Sequence, residues 1–346
     1  MTTVTGLAFP GESTVALREF DIPSPGPTEV RISVKASGIC GSDLHSYIAP
    51  SGLRAPDGTT LIAGGHEPAG VVESVGSAVT GFAVGDRVLV HHILGCGTCD
   101  NCRRGYPVVC RSAARIAYGG GRNGGHAPLL LVEERSLILL PETLSFIDGA
   151  MIACGVSTAY SALLKTGVRA GDRLLVTGMG PVGLAVTLLA ANMGVFVIGS
   201  DPNADRLAEA TRHGLAHALS ATDAAAELDA LTGGFGVDAA IECSGAVPAR
   251  LLCLEAAGTW GRVVYVGVGR QDLTFSPTDL VLKKLLTVRG SWVSSMAEME
   301  EVTRLLARTG IHPDSLVSET YDLAAGEEAY RRFADGATGK LAFVYT

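Results

Sequence analysis

Residues 177–183 read Thr-Gly-Met-Gly-Pro-Val-Gly and directly follow the apolar run Leu174–Val176. The segment matches the Gly-x-Gly-x-x-Gly pattern that joins a strand to a helix in dinucleotide-binding domains. In that pattern the first glycine permits the tight turn, the second lets the backbone approach a pyrophosphate, and the third permits close helix–strand packing. The helix N-terminus then faces the anion. The residues predicted to bind a cofactor here are Gly178, Gly180, Pro181, Val182 and Gly183.

Asp201 ends the next apolar segment, Val195–Ser200, about twenty residues after the glycines. A carboxylate at this distance meets the hydroxyls of the adenosine ribose, and it would repel a 2′-phosphate. The sequence therefore predicts NAD rather than NADP as the cofactor. Arg206 is expected over the same ribose and weakens this discrimination slightly. The alternative for Asp201 is an N-cap for a helix that begins near Ala204.

Strands and helices alternate on both sides of the glycine motif. This alternation, from about residue 155, predicts a doubly wound parallel sheet flanked by helices. The alternating segments are Leu174–Val176, Val182–Met193, Val195–Ile198, Ala204–His213, Val237–Ile241, Arg262–Val268 and Leu286–Val288. The first 150 residues read instead as short strands broken by glycine and proline, which predicts a β-rich, barrel-like domain. After residue 291 we expect two more helices and a closing strand at Leu341–Tyr345.

Composition limits the class of protein. The 346 residues carry 27 basic and 35 acidic side chains, a net charge of −8, which argues against a nucleic-acid partner. Apolar residues make up 47%, charged residues 18%, and there are 44 glycines, which is typical of a two-domain α/β enzyme.

The N-terminus does not resemble a signal peptide, so we expect a cytoplasmic protein. Leu174–Ser200 has no charged residue and could be a transmembrane helix, but its glycines and proline argue against membrane insertion.

Four of the eight cysteines are spaced as Cys96-x2-Cys99-x2-Cys102-x7-Cys110 in a polar, glycine-rich segment. Four thiolates around one ion form a closed, structural zinc site. An iron–sulfur cluster and a disulfide pair are the alternatives. A zinc ribbon that binds nucleic acid would need a basic surface, and only Arg103, Arg104 and Arg111 lie nearby.

A second set of possible metal ligands is dispersed along the chain: Cys40, His66 and Cys154. Two thiolates and one imidazole, with a fourth position open to water or substrate, would form a catalytic zinc site. Each residue also has an ordinary interpretation as a buried side chain, and spacing alone does not show that the three meet.

Taken together, the motifs resemble those of the zinc-dependent medium-chain alcohol dehydrogenases over essentially the full length. In chain order they are GICGSDLH, GHE, CxxCxxCx7C, ACGVSTAY, GMGPVG and a final TGK. The resemblance implies a GroES-like catalytic domain, residues 1–155 and 293–346, with a structural-zinc lobe at about 91–111. It also implies a Rossmann NAD-binding domain at residues 156–292. It assigns two zinc ions, one catalytic on Cys40, His66 and Cys154, and one structural on Cys96, Cys99, Cys102 and Cys110.

The resemblance also assigns roles around the catalytic metal. Ser42 is placed to accept the alcohol proton and pass it through the cofactor ribose to His45, which exchanges with solvent. Asp43 orients His66, and Glu67 lies beside the metal, where it can transiently replace a ligand. Thr158, Val182 and Val268 contact the nicotinamide, Val268 through its backbone. His91, His92 and His126 lie in the catalytic half and are expected to be structural residues, with substrate contact as the alternative. Cys243 and Cys253 match no ligand position and are expected to be packing residues.

The predicted function is transfer of a hydride between a secondary alcohol, in a polyol or other small hydroxylated molecule, and NAD. The GSDLH motif resembles the polyol and threonine branches, whereas Cys154 resembles simple alcohol dehydrogenases, so primary or aromatic alcohols, threonine and specialised biosynthetic substrates remain alternatives. We expect a homodimer or homotetramer associating through Leu286–Ser291, with no membrane or nucleic-acid partner. The competing functions are a zinc-free quinone or enone reductase and a zinc-lobed nucleic-acid-binding module.

Overall fold

The computed structural model describes residues 1–222 and 224–346. The chain forms two units, of which unit 1 is Met1–Ser157 with Ser294–Thr346 and unit 2 is Thr158–Val293. The residue limits proposed above for the two functional domains and for the zinc lobe stay a prediction.

The strands of the described residues are, in chain order, β1 (Thr2–Gly11), β2 (Thr14–Ile22), β3 (Glu29–Ile39), β4 (Glu67–Val75), β5 (Arg87–Val90), β6 (Ile93–Leu94), β7 (Ile116–Ala117), β8 (Leu129–Glu133), β9 (Leu137–Leu139), β10 (Arg173–Thr177), β11 (Phe196–Asp201), β12 (His217–Ser220), β13 (Val237–Glu242), β14 (Ala257–Tyr265), β15 (Thr287–Gly290), β16 (Val317–Tyr321) and β17 (Lys340–Val344). The α-helices are α1 (Asp43–Ile48), α2 (Asp100–Arg103), α3 (Phe146–Met151), α4 (Ser157–Thr166), α5 (Pro181–Asn192), α6 (Ala204–Arg212), α7 (Ala224–Thr232), α8 (Val247–Ala256), α9 (Met296–Thr309) and α10 (Gly326–Ala334).

Unit 1 is built on a sheet with the order β16-β17-β3-β4-β5-β9, and β8 also pairs with β3. Buried and partly exposed residues alternate along most of β3, as expected for a strand with one face on the core. Antiparallel pairing of β3 with β4 sets Gly38 opposite Glu67, and pairing with β17 sets Ile39 opposite Leu341. Three distant parts of the chain therefore meet at the end of β3.

Unit 2 contains a parallel sheet with the order β12-β11-β10-β13-β14-β15. The chain runs outward from β10 to β12 and then continues on the other side of β10 from β13 to β15. The strand order therefore reverses between β10 and β13, which is where ligands bind in such sheets. The predicted architecture, a β-rich domain together with a doubly wound parallel-sheet domain, is confirmed.

The uncharged stretch at Leu174–Ser200 is not a transmembrane helix, because it comprises most of β10, the 12-residue helix α5 and most of β11. One other segment, Phe146–Thr166, is a continuous helix long and apolar enough to cross a membrane. In its most apolar window 83% of the residues are buried inside the protein, which is the pattern of a core helix.

Candidate metal centres and dinucleotide site

Four side chains from unit 1 converge in a buried cluster. The ligand atoms of Cys40, His66, Glu67 and Cys154 all lie within 4.8 Å of one another. Cys40 follows β3, whereas His66 and Glu67 stand at the start of the neighbouring β4, so strand pairing brings them together. Cys154 lies in the π-helical turn Ile152–Val156, a local widening of the helix that is frequent at functional sites.

Asp43 orients the imidazole of this cluster. His66 Nδ1 donates to Asp43 Oδ1 over 2.9 Å, which leaves Nε2 as the nitrogen available to the cluster. The other carboxylate oxygen of Asp43 accepts from the Cys40 backbone N–H at 2.9 Å. A carboxylate behind the imidazole is the usual partner of a metal-binding histidine, because it sets the ring's tautomer and direction.

The two thiols of the cluster differ in acidity. A hydrogen bond from Cys154 lowers the pKa of Cys40 well below its ordinary value, and the same contact raises the pKa of Cys154. Cys40 is therefore favoured as a thiolate, the form that binds metal. Two sulfurs and one imidazole nitrogen at these distances fit zinc with one position left open.

Glu67 and Lys340 form a buried ion pair beside the cluster. Lys340 Nζ lies 2.7 Å from Glu67 Oε1, and the lysine is only 2% exposed. Burial raises the pKa of Glu67 to about 7. Burial would lower the pKa of Lys340, but the Glu67 charge raises it above its ordinary value. Glu67 Oε2 is also buried and has no hydrogen-bond partner in the described residues, so it is free to interact with a cation.

Lys340 had no assigned role in the sequence analysis, although its TGK motif contributed to the resemblance. The sequence feature that could have indicated a role for Lys340 is its position as the first residue of the apolar strand Lys-Leu-Ala-Phe-Val. A charged residue is expected to be exposed at such a position unless it has a buried partner.

Ser42 and His45 lie at the exposed N-terminal turn of α1. The His45 backbone N–H donates to the Ser42 carbonyl at 3.2 Å, which keeps the two residues on the same turn. Ser42 Oγ lies 3.3 Å from His66 Nε2, beside the cluster. The structure therefore sets a hydroxyl next to the candidate metal site and a solvent-accessible imidazole close behind it.

The three further histidines have different environments. His91 is fully buried and donates from Nε2 to the Ser294 carbonyl, and His126 is fully buried between Ser37 and Tyr330. The ring nitrogens of both histidines thus bond to protein groups, as expected for structural residues. His92 donates from Nδ1 to the Ala153 carbonyl, and its ring lies 4.8 Å from that of His66. Of the three, His92 is the one beside the metal cluster.

The second cysteine set forms a compact lobe in unit 1. The sulfurs of Cys96, Cys99, Cys102 and Cys110 lie within 4.8 Å of one another. The Cys96–Cys102 and Cys99–Cys110 distances are 4.0 and 3.9 Å, too long for disulfides. Four sulfurs about 2.3 Å from a central tetrahedral ion would lie about 3.8 Å apart. The geometry fits one ion better than a cluster of several irons, which would hold its ligands farther apart.

The glycine motif of unit 2 has the geometry of an anion site. Gly178 has φ +87°, and a side chain on Gly183 would collide with the Gly178 carbonyl, so both positions require glycine. Gly180 is the N-cap of α5 and Pro181 its first residue. No side chain caps this helix, so its first N–H groups are available to a phosphate.

Asp201 supports the same loop from the end of β11. Its Oδ2 accepts from the Met179 backbone N–H at 2.7 Å, and its Oδ1 accepts from Asn203 N–H at 2.8 Å. Asn203, not Asp201, is the N-cap of α6, so the capping alternative for Asp201 is wrong. Arg206 Nε is buried without a hydrogen-bond partner in the described part of the chain. A donor of this kind fits a ligand that lies against α6.

The remaining predicted cofactor contacts are Thr158, which is buried, Val182, which is half-buried, and Val268, which is 72% exposed in the loop after β14. Cys253 is buried, as expected for a packing residue, whereas Cys243 is partly exposed. Neither cysteine belongs to a cluster of ligands among the described residues.

Comparisons with known proteins identify the family to which the chain is similar. Residues 26–142 match the alcohol dehydrogenase GroES-like domain, and residues 181–308 match the zinc-binding dehydrogenase domain. An uncharacterised zinc-type alcohol dehydrogenase-like protein of Escherichia coli K12 is 42% identical over 99% of this chain and 98% of its own. Sorbitol dehydrogenase of Halalkalibacterium halodurans is 32% identical over 96% of each chain. An alcohol dehydrogenase of E. coli CFT073 solved with NADH is 25% identical, with a TM-score of 0.88 over 100% of both chains.

The fold and the two metal-ligand clusters thus define an oxidoreductase of the alcohol dehydrogenase class. The chain belongs to the zinc-dependent medium-chain alcohol dehydrogenases, which use zinc and a nicotinamide dinucleotide. The prediction of this family is confirmed.

Proposed function

We propose that the chain oxidises a secondary alcohol, in a polyol or another small hydroxylated molecule, to the ketone and reduces NAD in the same reaction. The observation that carries the proposal is the convergence of Cys40, His66 and Cys154 within 4.8 Å in unit 1. The similarity to a sorbitol dehydrogenase supports the substrate class. A zinc-free reductase would have no use for such a cluster.

We assign one zinc to Cys40, His66 and Cys154, and a second, structural zinc to Cys96, Cys99, Cys102 and Cys110. A zinc ion held at the first site would lower the pKa of a bound alcohol, so that the hydroxyl could lose its proton near neutral pH. At the second site four thiolates leave no open position, so this metal stabilises the lobe and takes no part in the reaction.

The surrounding residues then have separate tasks. Ser42 Oγ accepts the hydroxyl proton, and His45 exchanges protons with solvent, which its exposed position permits. Asp43 holds His66 with Nε2 toward the cluster. Glu67 provides a carboxylate oxygen close to the ligands, and Lys340 balances its charge. The alcohol carbon loses a hydride as its hydroxyl loses the proton, which yields the ketone.

The cofactor contacts lie in unit 2. A bound NAD would supply the hydride acceptor, its nicotinamide ring. Gly178, Gly180, Pro181, Val182 and Gly183 receive the pyrophosphate at the N-terminus of α5. Asp201 and Arg206 hold the adenosine ribose, and the negative charge of Asp201 disfavours the 2′-phosphate of NADP. Thr158, the Val182 side chain and the Val268 backbone contact the nicotinamide.

The direct test is the appearance of NADH absorbance when purified enzyme and NAD are offered sugar alcohols, vicinal diols, L-threonine and simple alcohols. We expect reduction with one group of secondary alcohols, loss of activity after chelator treatment, and at least about a tenfold preference for NAD over NADP, equivalent to about 1.4 kcal/mol. Chelator-resistant reduction of an enone or quinone, with no alcohol oxidised, would contradict the proposal.

We further propose that two copies pair along β15 to form a homodimer, which can associate into a tetramer. All four residues of β15 are exposed at the edge of the unit 2 sheet, and Leu285 and Trp292 flank it with 48% and 55% exposure. An exposed edge strand readily adds another strand, and Val288, Leu285 and Trp292 supply apolar surface beside this one. Val288→Lys should shift the mass measured by light scattering toward the monomer, whereas Val84→Lys, at another exposed valine, should not. An unchanged mass for V288K would reject this interface.

We propose the cytoplasm as the compartment, without membrane or nucleic-acid partners. All eight cysteines are free thiols, and seven have a use as metal ligands or buried packing residues. Free thiols persist in reducing compartments, which agrees with a cytoplasmic location. The net charge of −8 supports a small-molecule substrate over DNA or RNA.

A further inference from the structure

Unit 2 holds a fully buried carboxylate that the proposed reaction does not use. Glu242 ends β13 and has no exposed surface. Its Oε1 accepts three hydrogen bonds, from the backbone N–H and Oγ of Ser244, both at 2.6 Å, and from the Gly245 N–H at 2.7 Å. Its Oε2 is buried and has no hydrogen-bond partner in the described residues. Burying a carboxylate is costly, so these bonds must strongly favour one conformation of the turn at 244–245.

Arg250 of α8 connects this carboxylate with the loop that follows β14. Its Nε lies 3.8 Å from Glu242 Oε2, and its Nη2 donates to the carbonyls of Gly267 and Gly269 at 2.9 and 3.4 Å. The backbone of Glu242 completes the link, because its carbonyl accepts from the N–H groups of Val266 and Gly267 at 2.9 and 3.0 Å. The side chains of Glu242 and Arg250 thus hold two loops at the carboxyl end of the sheet.

These two loops pack backbone against backbone. Gly245 has φ +78°, and a side chain there would collide with the Val268 carbonyl; one on Gly269 would collide with the Gly245 carbonyl. On the opposite side of the turn, Ser244 lies against Gly178 of the pyrophosphate-binding motif. A shift of the 244–245 turn therefore cannot occur without moving the 266–269 loop.

The sheet order indicates which half of the dinucleotide these loops face. A dinucleotide binds across the carboxyl ends of the strands, with its pyrophosphate at the glycine motif that follows β10. Asp201, the ribose-binding candidate, ends β11 on one side of β10. The other half of the molecule must then extend over β13 and β14, on the opposite side of β10. We propose that Glu242 and Arg250 are positioning residues that hold the 244–245 and 266–269 loops in the shape that receives the nicotinamide half of the cofactor.

This inference rests on the proposed use of NAD, and its test separates the two halves of the cofactor. Calorimetry would give dissociation constants for NADH and for ADP-ribose, which lacks the nicotinamide, with the zinc-loaded wild type and four variants. Glu242→Ala and Arg250→Met should each raise the dissociation constant for NADH about tenfold, with ADP-ribose changed by less than about twofold. Glu242→Gln keeps an acceptor oxygen and should lose much less.

Arg262→Met is the matched control. Arg262 also bonds a carboxylate, that of Asp172, and a backbone carbonyl, that of Gly167, but it does so near the start of β10, away from the carboxyl ends of the strands. It should leave both dissociation constants unchanged. Loss of the buried Glu242 side chain can prevent the E242A variant from folding. The melting temperatures of R250M and E242Q are therefore measured as well.

The outcomes distinguish the two proposals. A wild type that binds neither ligand contradicts the proposed function. A wild type that binds both, with variants that lose NADH and ADP-ribose affinity equally, overturns the positioning inference, because Glu242 and Arg250 would then only support unit 2 as a whole. NADH affinity that is unchanged in well-folded R250M and E242A would overturn it as well.

Discussion

Replacing Cys40 with serine or His66 with alanine should reduce kcat/KM for the alcohol by at least about a thousandfold, about 4 kcal/mol of transition-state stabilisation. Each change removes one of three ligands from a cluster whose atoms lie within 4.8 Å, so the metal that acidifies the alcohol is lost or displaced. Affinity for NADH should stay within about twofold, because its predicted contacts lie in unit 2.

Steady-state kinetics, NADH titration and metal analysis together check this expectation. Bound zinc should fall from two ions per chain to one. Cys253→Ala is the control, since Cys253 lies in unit 2 outside both ligand clusters and should keep both zinc ions and turnover. Full activity in both C40S and H66A would exclude a catalytic metal on these residues.

Replacing Lys340 with methionine should destabilise the enzyme by about 3–5 kcal/mol, because it leaves Glu67 buried without its cation. The effect is large since Lys340 is 2% exposed, Glu67 is fully buried, and their charged atoms are 2.7 Å apart. Adding Glu67→Gln to the methionine variant should recover most of the loss. With both charges gone, no ionised group remains without a partner in this pair.

Thermal unfolding of the zinc-loaded variants measures the change. Lys283→Met is the matched control, because Lys283 also pairs with a carboxylate, Asp279, but both side chains are more than half exposed. Exposed pairs of this kind contribute only about 0–1 kcal/mol, so its melting temperature should barely change. If K340M and K283M lose the same stability, the buried pair stabilises the enzyme no more than an exposed pair does.

Features built from residues close together in the chain could be predicted from local patterns. The glycine motif at 177–183 specifies a strand, a tight turn and a helix start within seven residues, and the structure has all three. The cysteine lobe closes within 15 residues, so the spacing Cys96 to Cys110 nearly determines its geometry. In both cases backbone conformation and local hydrogen bonds decide the result, and these depend on residues adjacent in the chain.

The proposed catalytic cluster was different, because spacing did not show that Cys40, His66 and Cys154 meet. The resemblance to a family suggested it, but only strand pairing brings it about: β3 against β4 joins the first two, and the π-helical turn adds the third. Lys340 reaches Glu67 across 273 residues through β17, and nothing in its local sequence names that partner. Glu242 and Arg250 likewise gain their roles from loops that follow different strands. Such contacts depend on the register and order of strands in a sheet, which is a property of the whole fold, so only the tertiary structure decided them.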